Sequence, residues 1–340
     1  MPGLPEIPFI DIRDGSPIDL LRRYPGKARE LARATVDTFG LVSRFGSRVA
    51  FPFMDRASRA WLERTANPYR HEIGAFEEIL GIRGVSTLNI CFEWGCTTGV
   101  YVTEEGAVLR RVLDWRFPSL GRDLIVAHQL GSAGEFYNVT WPAMSGVYHA
   151  MAPGRFAAAI NQAPMRRYGP GLLFDWARNR VGVNGRTGLP AAHLLRHIFE
   201  TAPDYARAKA MLCEVPIAVP AIFTLAGIAE GCVIERTEDD YAVRELAGDR
   251  VCATNHFDSR LKHTARAWHP RSRDSLERLG RAVALSLSDV ESDFDWFKPP
   301  ICNPTSRVVL NAAAASGALA VMGVRGPVPV TQTFLIGGAA

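Results

Sequence analysis

The stretch Glu93-Trp94-Gly95-Cys96-Thr97-Thr98-Gly99 decides how the rest of the chain is read. Gly95 takes steric cover away from the peptide bond that the Cys96 sulfur would attack. Residues 97–103 are rich in β-branched and aromatic side chains, and the turn Glu104-Glu105-Gly106 leads into 107–115, so the pattern is that of a β-hairpin with Cys96 at its mouth. A free cysteine taken alone is most simply a small buried hydrophobe. Here the returning strand, Arg111-Val112-Leu113-Asp114-Trp115, brings a cation and a carboxylate back beside it.

Upstream of the hairpin the pattern is helical. Residues 27–39 place Leu31, Ala34, Val36 and Phe39 among charged positions, 55–66 end at Asn67-Pro68, and 71–80 carry Ile73, Phe76, Ile79 and Leu80 before the stop at Gly81. Downstream, strands are expected at 124–130, 146–151 and 156–161. A helical pair follows at 190–200 and 203–213, then strands at 221–226, 232–237, 241–246 and 251–255. A further helix is expected at 274–288, with strands near 307–311, 318–324 and 332–336. Blocks of helix and strand, without βαβ alternation, point to an α+β layered domain.

The 340 residues are long enough for one large domain, and 47% hydrophobic content supplies an ordinary core. Lys and Arg number 39 against 35 Asp and Glu, a net +4 that is scattered along the chain, so no nucleic acid partner is expected. No apolar run is long enough for a membrane span, and residues 1–15 lack the basic-then-apolar pattern of a secretory signal, so a soluble cytoplasmic protein is expected. Six cysteines in this length are too sparse for a disulfide scaffold and are expected as free thiols.

Cys96-Thr97-Thr98 at a Gly-Cys bond, followed by Arg111-x-x-Asp114-Trp115, resembles the acid ceramidase, choloylglycine hydrolase and penicillin acyltransferase group of N-terminal-nucleophile (Ntn) hydrolases. The resemblance continues through Gly154-Arg155-Phe156-Ala157-Ala158-Ala159-Ile160-Asn161, Thr254-Asn255-His256-Phe257 and Ser275-Leu276-Glu277-Arg278. It implies a four-layer αββα sandwich, with 1–95 a helical propeptide-like segment that self-cleavage between Gly95 and Cys96 releases but leaves associated, and 96–340 the catalytic body. It also implies a cofactor-free cysteine amidohydrolase that cleaves a linear N-acyl amide, a small-molecule substrate, through a thioester on Cys96. Acyl transfer to an amine is the alternative. In that scheme Arg111 and Asp114 flank the nucleophile, Asn161 and Asn255 supply oxyanion donors, and Arg278 is the late active-site arginine. A one-residue shift of the hairpin would present Arg110 instead of Arg111, and Arg271 and Arg273 compete with Arg278.

An N-terminal cysteine carries its own base, because its α-amine has an ordinary pKa of about 7.7–8.0 and accepts the thiol proton. Each residue also has a plainer reading: Arg111 and Arg278 as solvated charges, Asp114, Asn161 and Asn255 as turn or strand-end residues. Two rivals stand beside the enzyme: a non-catalytic binding protein of the same fold, and a papain-like enzyme using His149 or His256 as base. His193 and His197, at i and i+4, lack the further ligands of a zinc site, and Cys91 with Cys96 makes an incomplete one, so no metal is expected. Gly182 to Gly188 lacks a phosphate-loop ending and reads as a loop before a helix. Trp94, Trp115, Phe117, Phe136, Tyr137 and Phe257 are the aromatics available to line an apolar acyl pocket. A homo-oligomer is left open.

Overall fold

The structure is a computed structural model that describes residues 3–38, 43–90, 95–266, 271–286, 288–289 and 293–337. A short strand β1 (Phe9–Asp11) precedes helices α1 (Pro17–Arg23), α2 (Pro25–Thr38), α3 (Ser43–Arg64), α4 (Arg70–Leu80) and α5 (Val85–Asn89). The hairpin β2 (Gly95–Thr103) and β3 (Gly106–Asp114) follows, then β4 (Ile125–Gly131), β5 (Gly134–Thr140), β6 (His149–Ala152), β7 (Phe156–Gln162) and β8 (Met165–Arg166). After α6 (Leu172–Asn184), α7 (Ala191–Thr201) and α8 (Tyr205–Glu214) come β9 (Ala221–Ala226), β10 (Gly231–Arg236), β11 (Tyr241–Glu245), β12 (Arg250–Ala253) and β13 (Ala265–Arg266). The helix α9 (Arg271–Val283) and strands β14 (Ser306–Ala313), β15 (Ala318–Arg325), β16 (Val328–Pro329) and β17 (Phe334–Ile336) end the order.

Two sheets form the body. One runs β1-β4-β5-β6-β7-β9-β10-β11, the other β12-β2-β3-β14-β15-β16 with β17 also on β15, and β8 pairs separately with β13. They stack face to face, β2 and β3 against β7 and β9, and β14 against β6 and β7. Helices α7 and α8 cover the outer face of the first sheet, and α9 covers the outer face of the second at β2 and β12. This is the expected αββα order. Because β2 and β3 are buried on both faces, their period-2 alternation sorts side chains without becoming polar on either side. Val100, Leu109 and Leu113 join the core between the sheets, while Tyr101 and Val112 meet Ala282 and Trp296 beneath α9.

The N-terminal segment is tied into this body. Strand β1 pairs in parallel with β4, through Phe9 opposite Val126 and Asp11 opposite His128. Leu4 and Pro5 accept hydrogen bonds at 2.8 and 2.9 Å from the side-chain amide and backbone N–H of Gln332. At the other end of the segment, Asn89 donates to the Ala143 carbonyl at 2.9 Å and accepts from the Ser145 N–H at 2.7 Å. Arg196 on α7 binds Glu72 on α4 at 2.7 Å.

Several expectations need correcting. The first ninety residues include a strand, β1, whose three residues are too few to read as one and whose partner is distant in sequence. Helix α3 starts at Ser43, well before residue 55, because Pro52 lies inside it and interrupts the helical signal. Gly182, Val183 and Asn184 form the last turn of α6 and are no loop. That helix has exposed apolar residues (Leu173 is 82% exposed, Phe174 52% and Trp176 47%), so it offers no one-sided stripe. The 71–80 helix is found as α4, closed by Gly81 at φ +60°, the left-handed cap that glycine favours.

His193 is fully buried on α7, where its Nδ1 accepts from Asn67 Nδ2 at 3.0 Å; His197 is half-buried. Burial, with Arg196 nearby, pushes the His193 pKa down to about 3, and burial with Arg111 nearby holds His149 well below the ordinary 6.5. Both imidazoles stay neutral in the fold, whereas the unfolded chain protonates them as pH drops below 6.5. Stability is therefore present above that value and is lost on acidification, by about 2 kcal/mol per histidine between pH 7 and pH 5. Thermal melts should give a lower Tm at pH 5 than at pH 7, with a smaller difference in His193→Gln. An identical pH dependence in that variant would mean that His193 is charged in the fold.

Candidate active site around Cys96

Cys96 is the second residue of β2, at the open end of the hairpin, where Gly95 pairs with Asp114 and Cys96 with Leu113. A β-carbon at position 95 would stand 3.2 Å from that of Asp114, so glycine is what lets the carboxylate close over the Gly95-Cys96 bond. The Cys96 side chain is fully buried, and its thiol donates to the Ile160 carbonyl at 3.6 Å. Its backbone N–H donates to Asn255 Oδ1 at 2.8 Å, and its carbonyl accepts from Arg278 Nη1.

Arg278 reaches Cys96 from α9. It also donates to Thr97 Oγ1 at 3.0 Å and Asn255 Oδ1 at 2.9 Å, and it pairs with Asp274 at 3.0 Å and Asp114 at 3.8 Å. Ser275 lies one turn earlier on the same helix face and holds the Asn255 backbone N–H at 2.9 Å. The Ser-x-x-Arg spacing thus fixes both ends of Asn255. Asn255 Nδ2 donates to the Gln162 carbonyl at 2.9 Å. The side chains of Arg271 and Arg273 lie outside the described residues.

Pleating separates the two adjacent arginines of β3. Arg111 faces the space between the sheets, fully buried, donating to His149 Nδ1 at 3.0 Å and Asn161 Oδ1 at 2.9 Å. Arg110 faces the other way, over the Trp296 ring at 5.8 Å. Burial pushes the Cys96 thiol up to about 11; Arg111 most strongly, then Arg278, opposes this, and Asp114 adds to it. Burial also raises the Asp114 carboxyl against the pull of Arg278 and of the Ser306 hydroxyl, which donates to it at 2.7 Å.

Asn161 differs from expectation. Its Nδ2 donates to Thr98 Oγ1 at 3.0 Å and to the carbonyls of Ala253 and Thr254 at 3.1 and 3.0 Å, while its oxygen accepts from Arg111. These partners fix the amide orientation and occupy both its hydrogens. In this arrangement Asn161 positions Arg111 across the two sheets and has no N–H left for an oxyanion. His149, Ser275 and Ser306 join the site through chemistry that only their neighbours reveal: a neutral imidazole accepting from Arg111, and two hydroxyls holding Asn255 and Asp114.

Neither histidine of the papain-like rival hydrogen-bonds to Cys96: His149 Nδ1 is taken by Arg111, and His256 Nδ1 meets Ser275 Oγ at 2.8 Å. Among the described residues no group of His, Cys, Asp and Glu could hold a metal. Cys96, Cys213, Cys232, Cys252 and Cys302 are free thiols; Cys91 and Trp94 lie outside the described residues.

Beside the site is a cavity of about 430 Å³ walled by Met54, Trp61, Ile90, Ala163, Met165 and Trp176. Gln162 links it to the site: it lines the cavity, and its carbonyl accepts from Asn255, which in turn accepts from the Cys96 N–H. The aromatics expected there are elsewhere. Trp115, Phe117, Phe136 and Phe257 are buried in the main core, and Tyr137 packs on His128.

Asn255→Ala should lower kcat about 10²–10³-fold with the fold intact, the usual scale for one donor at a developing oxyanion. Asn255→Asp keeps the acceptor facing the Cys96 nitrogen and loses the donor, so steady-state kinetics of the two variants tell which atom matters. Wild-type kcat in both would return Asn255 to a structural role.

Stacked, mainly antiparallel sheets between helical layers, with a cysteine at the start of a central strand, give this chain the Ntn hydrolase fold. It superposes on an N-acylethanolamine-hydrolyzing acid amidase (NAAA) ortholog from Caenorhabditis elegans with a TM-score of 0.51 and 16% identity, covering 71% of this chain and 100% of that one. Residues 171–293 match the family model described as acyl-coenzyme A:6-aminopenicillanic acid acyl-transferase. Penicillin V acylase from Agrobacterium tumefaciens aligns at TM-score 0.44 and 12% identity, over 71% of this chain and 86% of that one. A mutant conjugated bile acid hydrolase from Clostridium perfringens aligns at 0.40 and 8%, over 72% and 92%. No curated protein matches the sequence. No helix among the described residues is long and apolar enough to cross a membrane.

Proposed function

We propose that this chain is a cysteine amidohydrolase that matures by cutting itself between Gly95 and Cys96 and then hydrolyses linear N-acyl amides. The observation that carries this reading is the convergence of Asn255 and Arg278 on the backbone N–H and carbonyl of one residue, Cys96, at a Gly-Cys bond. In maturation the Cys96 sulfur adds to the Gly95 carbonyl carbon and the bond to the Cys96 nitrogen breaks. Water then resolves the thioester, leaving a Gly95 carboxylate and a Cys96 amine. That amine, held by Asn255, takes the thiol proton when the sulfur attacks the substrate carbonyl, and it returns the proton to the departing amine.

The mainly apolar cavity suits an apolar acyl group, and the nematode amidase is named for hydrolysing N-acylethanolamines, which are N-acyl amides. Transfer of the acyl group to an amine is the second reading, favoured by the acyltransferase family model over residues 171–293. The free thiols suit a reducing compartment such as the cytoplasm.

Intact mass and N-terminal sequencing of purified protein test the mechanism. Fragments 1–95 and 96–340 are expected, together with release of amine from N-acyl amides. An active protein that stays whole would overturn it, because an internal cysteine has no α-amine to act as base.

A further inference from the structure

The cavity that Gln162 shares with the site has mainly apolar walls; Ser58, Thr87, Asn179, Arg180 and Asn184 also line it, and it holds one buried acid-arginine pair. Glu238 forms part of its wall with a side chain only 2% exposed, in ion contact with Arg186 and, at 3.5 Å, with Arg166. Oε1 is in close contact with Arg186 Nη1, whereas Oε2 has only the 3.5 Å contact with Arg166 and accepts no hydrogen bond among the described residues. Buried acceptors in that state are uncommon, and a ligand that donates to one gains what the protein leaves unmade. Arg186 lines the same wall and faces Glu238.

We propose that Glu238 and Arg186 read a hydroxyl group on the acyl part of the substrate, so that hydroxylated acyl amides are preferred over plain ones; this rests on the amidohydrolase reading above. The arginines already balance the charge of Glu238. An ammonium group would add a further cation beside Arg186 and Arg166, and a carboxylate would face Glu238 directly. A hydroxyl is neutral, donates to the carboxylate and accepts from the guanidinium, which matches an acid-arginine edge on both counts. The surrounding Trp61, Met165, Val183 and Val219 take the methylene chain, which places the acyl part rather than a polar amine in the cavity.

Two readouts test this. The first is binding to the Cys96→Ala chain, followed by fluorescence of Trp61 and Trp176, of acyl amides matched except for one hydroxyl on the outer half of the chain or a terminal carboxylate. The second is kcat/KM of the wild-type enzyme on the same set. The hydroxylated compounds should bind about tenfold more tightly or better, with the gain in kcat/KM arising through KM. The ratio should fall below about twofold in Glu238→Leu/Arg186→Leu, and should shrink in Glu238→Gln, which keeps an acceptor oxygen and serves if the double variant fails to fold. Equal binding of plain and hydroxylated compounds, a preference that survives both variants, or a preference for the carboxylate would overturn the proposal. Because binding is read without turnover, failure of the amidohydrolase reading shows separately, as absent cleavage and absent product.

Discussion

Cys96→Ala should remain a single chain and show no turnover of any acyl amide, a loss limited only by the detection floor of the assay. In the proposed mechanism the Cys96 thiol forms the covalent intermediate, and Arg111, Arg278, Asn255 and Asp114 lie around Cys96. Its neighbours leave no substitute: His149 is buried, neutral and engaged by Arg111. Since Cys96 also packs in the core between the sheets, the variant must be shown to fold, by a melt close to that of wild type. Cys96→Ser is the companion, since a hydroxyl is a weaker nucleophile and should cut slowly rather than not at all. Full-rate cleavage in Cys96→Ala, judged by intact mass, would show that the scissile bond is attacked by something else.

The two arginines of β3 provide the second large effect, and they test the register of the hairpin. Arg111→Ala should lower kcat about 10³-fold, and maturation with it, because it removes the strongest positive charge acting on a thiol that burial raises to about 11 even with that charge in place. Arg110→Ala should change kcat less than about threefold, since its guanidinium lies over Trp296 on the opposite face. Emptying the Arg111 site also strands His149 and Asn161, so part of the loss can be instability. Arg111→Lys, which restores a cation without the planar fork, separates the two: a recovered Tm with kcat still depressed assigns the loss to chemistry. The reverse pattern, Arg110 essential and Arg111 dispensable, would place the hairpin one residue out of register.

What was legible in the sequence was whatever chemistry is local. A hairpin turn announces itself by Glu104-Glu105-Gly106, Arg111 and Asp114 keep their spacing along one strand, and Ser275 and Arg278 share a helix face one turn apart. Patterning gave an α+β layered domain, because helices covering a sheet carry a stripe and doubly buried strands carry runs; the αββα order of the layers was what the resemblance implied. What stayed hidden depends on partners far apart in the chain. Asn161 sits where an oxyanion donor would be sought, and only the meeting of Thr98, Arg111, Ala253 and Thr254 around it reveals an amide already engaged on every side. The cavity was illegible for the same reason, being assembled from α3, α5, α6 and the residues after β7. Aromatics close to Cys96 in sequence were the wrong place to look, since proximity along a strand says nothing about which face a ring takes.

The N-terminal clasp, with β1 along β4 and Leu4 and Pro5 held by Gln332, changes what residues 1–95 become on the proposed cut. They would be a subunit rather than a discarded leader: a strand at one end completes a sheet, and Met54, Trp61 and Ile90 at the other wall the cavity. The proposed cut would turn a unimolecular fold into a two-body assembly governed by mass action, in which the lost peptide bond no longer supplies effective concentration. An uncut chain refolds by itself, whereas a cut one, once unfolded, would have to find its other half.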